Sequence, residues 1–158
     1  MKVVKKVLFV CLGNICRSPS AEAVFRKKAK QASLNLEFDS AGTIDYHQGE
    51  RSDPRSIKHA EQRGYEMTHL ARQIRTSDFA DFDLILVMDQ KNLTDVKAVA
   101  PASSHAKIKL LTDYKKSKGM DCVPDPYYKE AQDFELVLDL IEDAWLGFVS
   151  NHFPSAKP

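Results

Sequence analysis

The fold is decided by one stretch of the chain, Val10-Cys11-Leu12-Gly13-Asn14-Ile15-Cys16-Arg17-Ser18-Pro19. It follows a short apolar run, residues 4–10, whose length suits a buried strand. Ser18 can cap a helix at its N-terminus, and Pro19 suits the first helical position. Because a strand, a glycine-containing loop and a helix start follow one another directly, the stretch predicts the first strand–loop–helix unit of an α/β fold.

The rest of the chain continues this alternation. The first helix is expected to run to about residue 33, and Asp53-Pro54 begins a second capped helix that Gly64 closes. The other predicted strands are residues 36–40, 83–88 and 108–111, and the other predicted helices are residues 90–98 and 133–152. Residues 41–52 and 113–125 are expected to be loops. This order is typical of βαβ units on a parallel sheet, and residues 1–158, without repeat or linker, are predicted to form one domain.

The composition of the chain argues against several classes of binding partner. The 23 basic and 22 acidic residues give a net charge of only +1, so we expect neither a nucleic-acid-binding face nor a polybasic membrane anchor. Three cysteines are too few for a secreted disulfide framework, and no export signal or membrane span is visible, which predicts a cytoplasmic protein. No C-x₂-C or H-E-x-x-H spacing occurs, so no metal and no cofactor is expected.

The opening loop also carries the candidate chemistry. Five residues separate Cys11 from Arg17, and N–H groups of such a loop can converge on a phosphate-sized anion, with Gly13 and Asn14 tolerating the positive φ required. The same donors would stabilise a Cys11 thiolate, Ser18 could donate a hydrogen bond to it, and Arg17 offers a planar fork for two phosphate oxygens. An isolated C-x₅-R pattern would favour a buried strand cysteine and a surface arginine instead. The strand and helix on either side favour the anion site.

A second candidate segment, Pro124-Asp125-Pro126-Tyr127-Tyr128, lies late in the chain. The leaving oxygen of a phosphate ester needs a proton, which a positioned carboxylic acid can supply. The two prolines restrict the backbone on both sides of Asp125. Taken alone, the segment would be a plain Pro-Asp-Pro turn.

Taken together, these segments resemble the low-molecular-weight protein tyrosine phosphatases. The resemblance rests on the stretch from Cys11 to Pro19, followed by Ala21-Glu22-Ala23, and on Asp125-Pro126-Tyr127-Tyr128, which is similar to the general-acid loop of that family. Similar segments occur between them in the family order: Ser40-Ala41-Gly42-Thr43, His69-Leu70-Ala71-Arg72-Gln73 and Met88-Asp89. The resemblance implies a four-stranded parallel twisted sheet with helices on both faces, of the Rossmann-like type.

The resemblance also implies roles for individual residues. Cys11 would be the nucleophile that forms a phosphocysteine, Arg17 the phosphate clamp and Asp125 the general acid and base. The implied phosphate-binding loop comprises Leu12, Gly13, Asn14, Ile15, Cys16, Arg17 and Ser18. The implied support for that loop comprises Asn14, Ser18, Ser40 and His69. Cys16 is similar to a second loop cysteine that can pair reversibly with the nucleophile, although a small buried residue explains it equally well.

The expected cleft wall comprises Tyr46, Glu50, Tyr127 and Tyr128. Many family members carry tryptophan at the position of Tyr46, which still offers an aromatic face for a phenyl ring. Glu50 is expected to disfavour acidic residues beside the phosphotyrosine. The expected partners are therefore tyrosine-phosphorylated proteins, small aryl phosphates, inorganic phosphate and oxyanion inhibitors. The protein itself is expected to be a monomer or a weak homodimer.

Several alternatives compete with this interpretation. An arsenate reductase of the same fold needs relay cysteines after the central strand, and residues 83–107 contain none. A phosphocysteine carrier or phosphotyrosine-binding module would need the loop but no general acid. A metal-dependent phosphatase using Asp81 and Asp83 would place both carboxylates at the wrong end of a parallel sheet. A nucleotide-binding P-loop lacks its Gly-Lys-Ser/Thr signature.

Overall fold

A computed structural model describes residues 3–117 and 120–158. Met1 and Lys2, and Lys118 and Gly119 within the predicted loop 113–125, lie outside the described residues. The described strands are β1 (Lys6–Cys11), β2 (Glu37–Gly42), β3 (Leu84–Val87) and β4 (Lys107–Leu110). The described helices are α1 (Arg17–Gln31), α2 (Pro54–Gln62), α3 (Asp78–Asp81), α4 (Gln90–Val99) and α5 (Ala131–His152), with a 3₁₀ turn at Leu111–Tyr114.

The four strands form one parallel sheet in the order β2-β1-β3-β4. This confirms the predicted four-stranded α/β fold. β1 is central because Val7 pairs with Phe38 on one side and with Leu84 on the other. Parallel strands end at the same edge of a sheet, so the loops after Cys11 and Val87 meet there.

Alternation along β1 divides the core into two layers. Val7 and Phe9 face α1 and α5, where Phe25 meets Phe9 edge-to-face at 4.9 Å and Trp145 at 5.2 Å between ring centroids. Leu8 and Val10 face the opposite layer with α3 and α4. Successive side chains of a strand point to opposite faces, so a sheet covered on both sides needs a continuous apolar run such as that of β1.

The first helix begins earlier than predicted, and the predicted Ser18 cap is wrong. α1 starts at Arg17, its N-cap is Cys16, and no side chain caps it. The Ser18 hydroxyl lies inside the first turn and contacts Cys11 instead. The Asp53 cap of α2 is as expected, because its carboxylate accepts a hydrogen bond from the N–H of Arg55.

The sequence analysis did not predict α3 or the 3₁₀ turn, and it ended the second strand too early. α3 and the 3₁₀ turn each span four residues, too few to show a helical repeat. α3 is stabilised by Asp78, which is buried and pairs with Arg72. β2 runs to Gly42, two residues into the predicted loop 41–52, because Gly42 pairs with Cys11, the last residue of β1. Among the described residues, no helix combines the length and the apolarity needed to cross a membrane.

Gly147 marks the closest approach of α5 to the 3₁₀ turn. A Cβ at this position would lie 1.6 Å from the carbonyl oxygen of Tyr114. We expect Gly147→Ala to lower the free energy of unfolding by about 1–3 kcal/mol, although alanine is intrinsically favoured over glycine in a helix by about 1 kcal/mol. Urea unfolding measures the change. Ser150→Ala, at an exposed position of the same helix, is the control and should stay within about 0.5 kcal/mol of the parent protein. Equal stability of Gly147→Ala and the parent would contradict this packing.

Candidate active site

The loop between β1 and α1 presents its N–H groups without protein partners. Within the described part of the chain, no backbone N–H of residues 12–16 donates a hydrogen bond to the protein. The carbonyls of Leu12 and Ile15 do have partners, because they accept hydrogen bonds from the N–H groups of Ile44 and Asp53. Asn14 adopts a left-handed conformation with φ of 59°, which closes the curl. The loop is therefore anchored through two of its carbonyls and leaves a group of donors for an anion.

Cys11 lies at the floor of this loop, where it is 2% exposed. Its Sγ is 3.0 Å from Ser18 Oγ. Ser18 Oγ already accepts a hydrogen bond of 2.8 Å from Asn14 Nδ2. The Ser18 hydrogen is therefore available to Cys11, because another acceptor near Ser18 Oγ, the carbonyl oxygen of Ala41, lies further away at 3.4 Å.

Asn14 connects the loop to two other segments. Its Nδ2 also donates to Ser40 Oγ at 3.0 Å, and its Oδ1 accepts from His69 Nε2 at 2.8 Å and from the N–H of Arg72 at 3.0 Å. Ser40 lies near the carboxyl end of β2. The expected supports Ser18, Ser40 and His69 therefore all contact the amide side chain of Asn14. The side chain of Asn14 is thus fully used, and its orientation is determined by its partners.

A buried carboxylate completes this network, and sequence reasoning gave it no role. Glu22 is 3% exposed; its Oε1 accepts from Ser40 Oγ at 2.7 Å and lies 3.2 Å from His69 Nδ1, while its Oε2 accepts from Arg26. Both ring nitrogens of His69 thus have an oxygen atom as a partner, Asn14 Oδ1 at Nε2 and Glu22 Oε1 at Nδ1. Glu22, His69 and Asp39 could geometrically surround a cation. Their atoms are already used by Arg26, Ser40 and one another, so the group is an ion-pair network.

Arg17 is held rigidly beneath the loop. Its side chain is 3% exposed, and its Nη1 donates to Asp89 Oδ2 at 2.6 Å and to the carbonyl of Val123 at 3.1 Å. Burial opposes the charge of Arg17, yet the neighbouring Cys11 and Asp89 outweigh it and raise the pKa of the guanidinium. Sequence reasoning did not assign Asp89 a role. Its position directly after the central strand β3 was the signal that could have found it.

Asp125 reaches the same cleft from a distant part of the chain. Its Oδ2 lies 3.7 Å from Arg17 Nη2, and its Oδ1 accepts a hydrogen bond of 3.1 Å from the N–H of Tyr127. The side chain is 44% exposed, so it stands at the open side of the cleft while Cys11 lies at the floor. The fold brings together the three residues expected to carry the chemistry.

The cleft holds about 250 Å³ and has an aromatic rim. Tyr46 and Tyr128 are 79% and 91% exposed, and Tyr127 lines the cleft with them. Glu50 does not line the cleft as expected. It lies behind His47, which does, and accepts a hydrogen bond of 3.1 Å from His47 Nδ1. Sequence reasoning missed His47 because nothing in its local pattern distinguishes it from other loop residues.

Cys16, the second cysteine of the loop, is buried and free. Burial raises the pKa of its thiol to about 12, and the nearby Asp53 and Cys11 act in the same direction. Cys16 is therefore a neutral thiol at physiological pH, in contact with the start of α2 through Ser56.

Comparisons with known proteins agree with this geometry. The family model described as low molecular weight phosphotyrosine protein phosphatase matches residues 6–152. The chain belongs to this family. The phosphatase of this name from Schizosaccharomyces pombe is 46% identical over 82% of this chain and 85% of its own, and that from Rattus norvegicus is 48% identical over 84% and 86%.

Solved structures of related phosphatases share the fold. A protein tyrosine phosphatase from Entamoeba histolytica, crystallised with Hepes in the active site, has a TM-score of 0.89 and 40% identity, covering 92% of this chain and 94% of its own. A Drosophila arginine phosphatase has a TM-score of 0.89 and 33% identity, covering 94% and 98%. Cys11 and Arg17 lie in the phosphate-binding loop that the family predicts.

The role of Asn14 in the phosphatase loop can be tested with two variants. Asn14→Ala removes the network and places alanine at a positive φ, so we expect a loss of about 2–4 kcal/mol in the free energy of unfolding. Asn14→Gly removes the same hydrogen bonds without the backbone penalty, so its loss should be smaller by about 1 kcal/mol. Urea unfolding measures both. A glycine variant as stable as the parent would show that the network does not hold the loop.

Proposed function

We propose that the chain hydrolyses phosphotyrosine in proteins, and small aryl phosphates, through a phosphocysteine on Cys11. One observation carries this proposal: the N–H groups of residues 12–16 have no acceptor among the described residues, and their loop lines one cleft together with the buried Cys11 and with Arg17. Such donors suit the oxygens of a phosphoryl group in transfer, because they need no rearrangement as charge moves to those oxygens.

The first step forms the S–P bond. The Cys11 thiolate attacks phosphorus, the bond from phosphorus to the phenolic oxygen breaks, and Asp125 gives its proton to that oxygen. In the second step Asp125 takes a proton from water as the water oxygen attacks phosphorus. The S–P bond then breaks, and inorganic phosphate leaves. Ser18 donates its hydrogen bond to the sulfur as it regains negative charge.

Arg17 and Asp89 act together during both steps. Because Nη1 is committed to Asp89 and to the Val123 carbonyl, the guanidinium cannot turn away, and Nη2 remains directed to the side of Asp125. A planar fork held in this way offers two donors to two phosphate oxygens without losing side-chain freedom on binding. Asp89 is a positioning residue in this proposal.

The lining of the cleft favours an aryl ester over the alternatives. Leu12, Ile15 and the tyrosines of the rim supply apolar and aromatic surface, while Asp125 is the one carboxylate among the lining residues that the structure describes. A phosphoarginine guanidinium would need more acceptors. An arsenate reductase would need a relay cysteine at the cleft, and Cys122 is not among its lining residues. A carrier or binding module would not need Asp125 at the cleft.

The cysteines of the site indicate the cellular compartment in which the enzyme would work. A nucleophilic thiol must stay reduced, so we place the enzyme in the cytoplasm. We propose that it acts as a monomer or weak homodimer with tyrosine-phosphorylated proteins as substrates, and that it uses no metal or cofactor.

The role of Asp125 predicts a dependence on the leaving group. Asp125→Ala should lower kcat by about 10²–10⁴-fold for phosphotyrosine, because the phenolate would leave without a proton. The loss should shrink for phenols acidic enough to leave unprotonated, while competitive inhibition by inorganic phosphate should change little. The measurement is a series of aryl phosphates of rising leaving-group pKa, hydrolysed by both proteins. A uniform loss across the series would assign Asp125 a structural role.

The matched control is Cys11→Ser in the same series, with EDTA present throughout. This variant should bind vanadate or phosphate and show no turnover, since a serine hydroxyl at this site is a far weaker nucleophile than a thiolate. Near-normal turnover by Cys11→Ser would exclude the covalent mechanism. Loss of parent activity in EDTA would point to a metal.

We also propose that the enzyme is redox-regulated through Cys16. Peroxide would oxidise the Cys11 thiolate to a sulfenic acid, and the Cys16 sulfur would then displace water from it to form a disulfide that thiols reduce. The high pKa of Cys16 keeps it from reacting with peroxide itself. After mild oxidation, mass spectrometry should find the Cys11–Cys16 disulfide in the parent and in the control Cys122→Ala. In Cys16→Ala, Cys11 has no partner for the disulfide and can oxidise further to a sulfinic acid, so a smaller share of the activity should return with thiols. A sulfinic acid on Cys11 in the parent, without the disulfide, would refute this role.

A further inference from the structure

The rings of His47 and Tyr127 lie at the mouth of the cleft. A carboxylate contacts the His47 ring, and a guanidinium contacts the Tyr127 ring. The centroids of the His47 and Tyr127 rings are 6.3 Å apart. The Glu50 carboxylate accepts a hydrogen bond from His47 Nδ1 and is 60% exposed. The Arg55 guanidinium lies 5.4 Å from the centroid of the Tyr127 ring. The mouth is therefore anionic behind His47 and cationic behind Tyr127.

The cationic side continues into a pocket of its own. This pocket, of about 190 Å³, is lined by Arg55, Lys58 and Lys129 around the Phe134 ring, and it adjoins the cleft through the contact of Arg55 with Tyr127. Arg55 is compensated by the buried carboxylate of Asp53, which it contacts at 2.8 Å.

Lys58 and Lys129 line this pocket with the apolar stems of their side chains. Both are exposed, and neither forms an ion pair within residues 3–117 and 120–158. The nearby carboxylate of Glu135 is bound by Arg63 and His59, whose hydrogen bonds lower its pKa. An apolar pocket with two exposed lysines at its rim is suited to a carboxylate carried on a short aliphatic stem.

The anionic side of the mouth, near His47, is suited to repel acidic side chains. Glu50 and the exposed Asp45 lie in the same loop as His47. The whole chain has a net charge of only +1, so no general field overrides these local charges. Charges this close to a ligand act within the screening length of about 8 Å at physiological ionic strength.

We propose that the mouth reads the charge pattern on the two sides of the phosphotyrosine. An acidic side chain on the Tyr127 side enters the pocket of Lys58 and Lys129, and the His47 side rejects acidic residues through Glu50. This inference deepens the proposed phosphatase function and rests on it. Substrate segments that are acidic only on the Tyr127 side of the phosphotyrosine are therefore preferred over segments that are acidic on both sides or on the His47 side alone.

Phosphotyrosine peptides with four flanking patterns test the inference: neutral, acidic before the phosphotyrosine, acidic after it, and acidic on both sides. For each protein we divide kcat/KM of an acidic peptide by kcat/KM of the neutral one, so that any general loss of activity cancels. For the parent, one of the two one-sided peptides should exceed the neutral peptide by about 3–10-fold and the other should fall below it by a similar factor, while the two-sided peptide should lie between them because the two effects oppose each other. Both effects should fade in 0.5 M NaCl.

Charge-reversal variants locate the effect. Lys58→Glu/Lys129→Glu should abolish the preference for the first of these one-sided peptides, and Glu50→Gln should lift the rejection of the other. Lys30→Glu, an exposed position about 20 Å from Arg17 along α1, changes the charge in the same sense and should leave the ratios unchanged. Equal ratios for all peptides, or the same shift in Lys30→Glu, would overturn the inference. Failure to hydrolyse any of the peptides would overturn the proposed function itself.

Discussion

The structure depends on a row of backbone N–H groups after Cys11 that have no partner in the part of the chain that the structure describes. Donors without acceptors are unfavourable in an empty site, so a loop of this kind persists only when its surroundings prevent it from relaxing. The carbonyls of Leu12 and Ile15 accordingly bind other segments, and the side chain of Asn14, whose φ is positive, is bound by three separate segments. Thiolate stabilisation and phosphate binding both follow from this single arrangement, because each places negative charge where the donors converge.

The hydrogen bonds behind the loop have a definite direction. Glu22 can only accept, so Ser40 must donate to it; Ser40 then accepts from Asn14, which also donates to Ser18. The Ser18 hydrogen is thereby left for Cys11. A buried carboxylate in the second turn of α1 thus determines the hydrogen-bond donor at the sulfur, two side chains away. Such a fully satisfied network is rigid, which is the property that electrostatic catalysis requires.

What the sequence could predict was local. The strand before Cys11, the Asp53 cap and the glycine at the end of α2 each depend on a few neighbouring residues, and all three agree with the structure. The family resemblance added Asp125, Ser40 and His69. Ser18 was misjudged because a serine at a helix start normally caps it, whereas here a sulfur competes for the hydroxyl. The contacts of Glu22 with Ser40 and of Asp89 with Arg17 join segments that are distant in the chain, so they could not be predicted from neighbouring residues.

Arg17 divides its two ends between the two carboxylates of the site. Its Nη1 is held by Asp89 at 2.6 Å and by the carbonyl of Val123, so this end cannot serve a substrate without losing two partners. Its Nη2 lies 3.7 Å from Asp125, whose side chain is 44% exposed, so this is the end of the guanidinium that can change partners. In the proposed reaction, phosphate oxygens would take the place of Asp125 at Nη2, and the carboxyl group would face the leaving oxygen instead. The buried end of one guanidinium would thus fix its position while the open end exchanges partners.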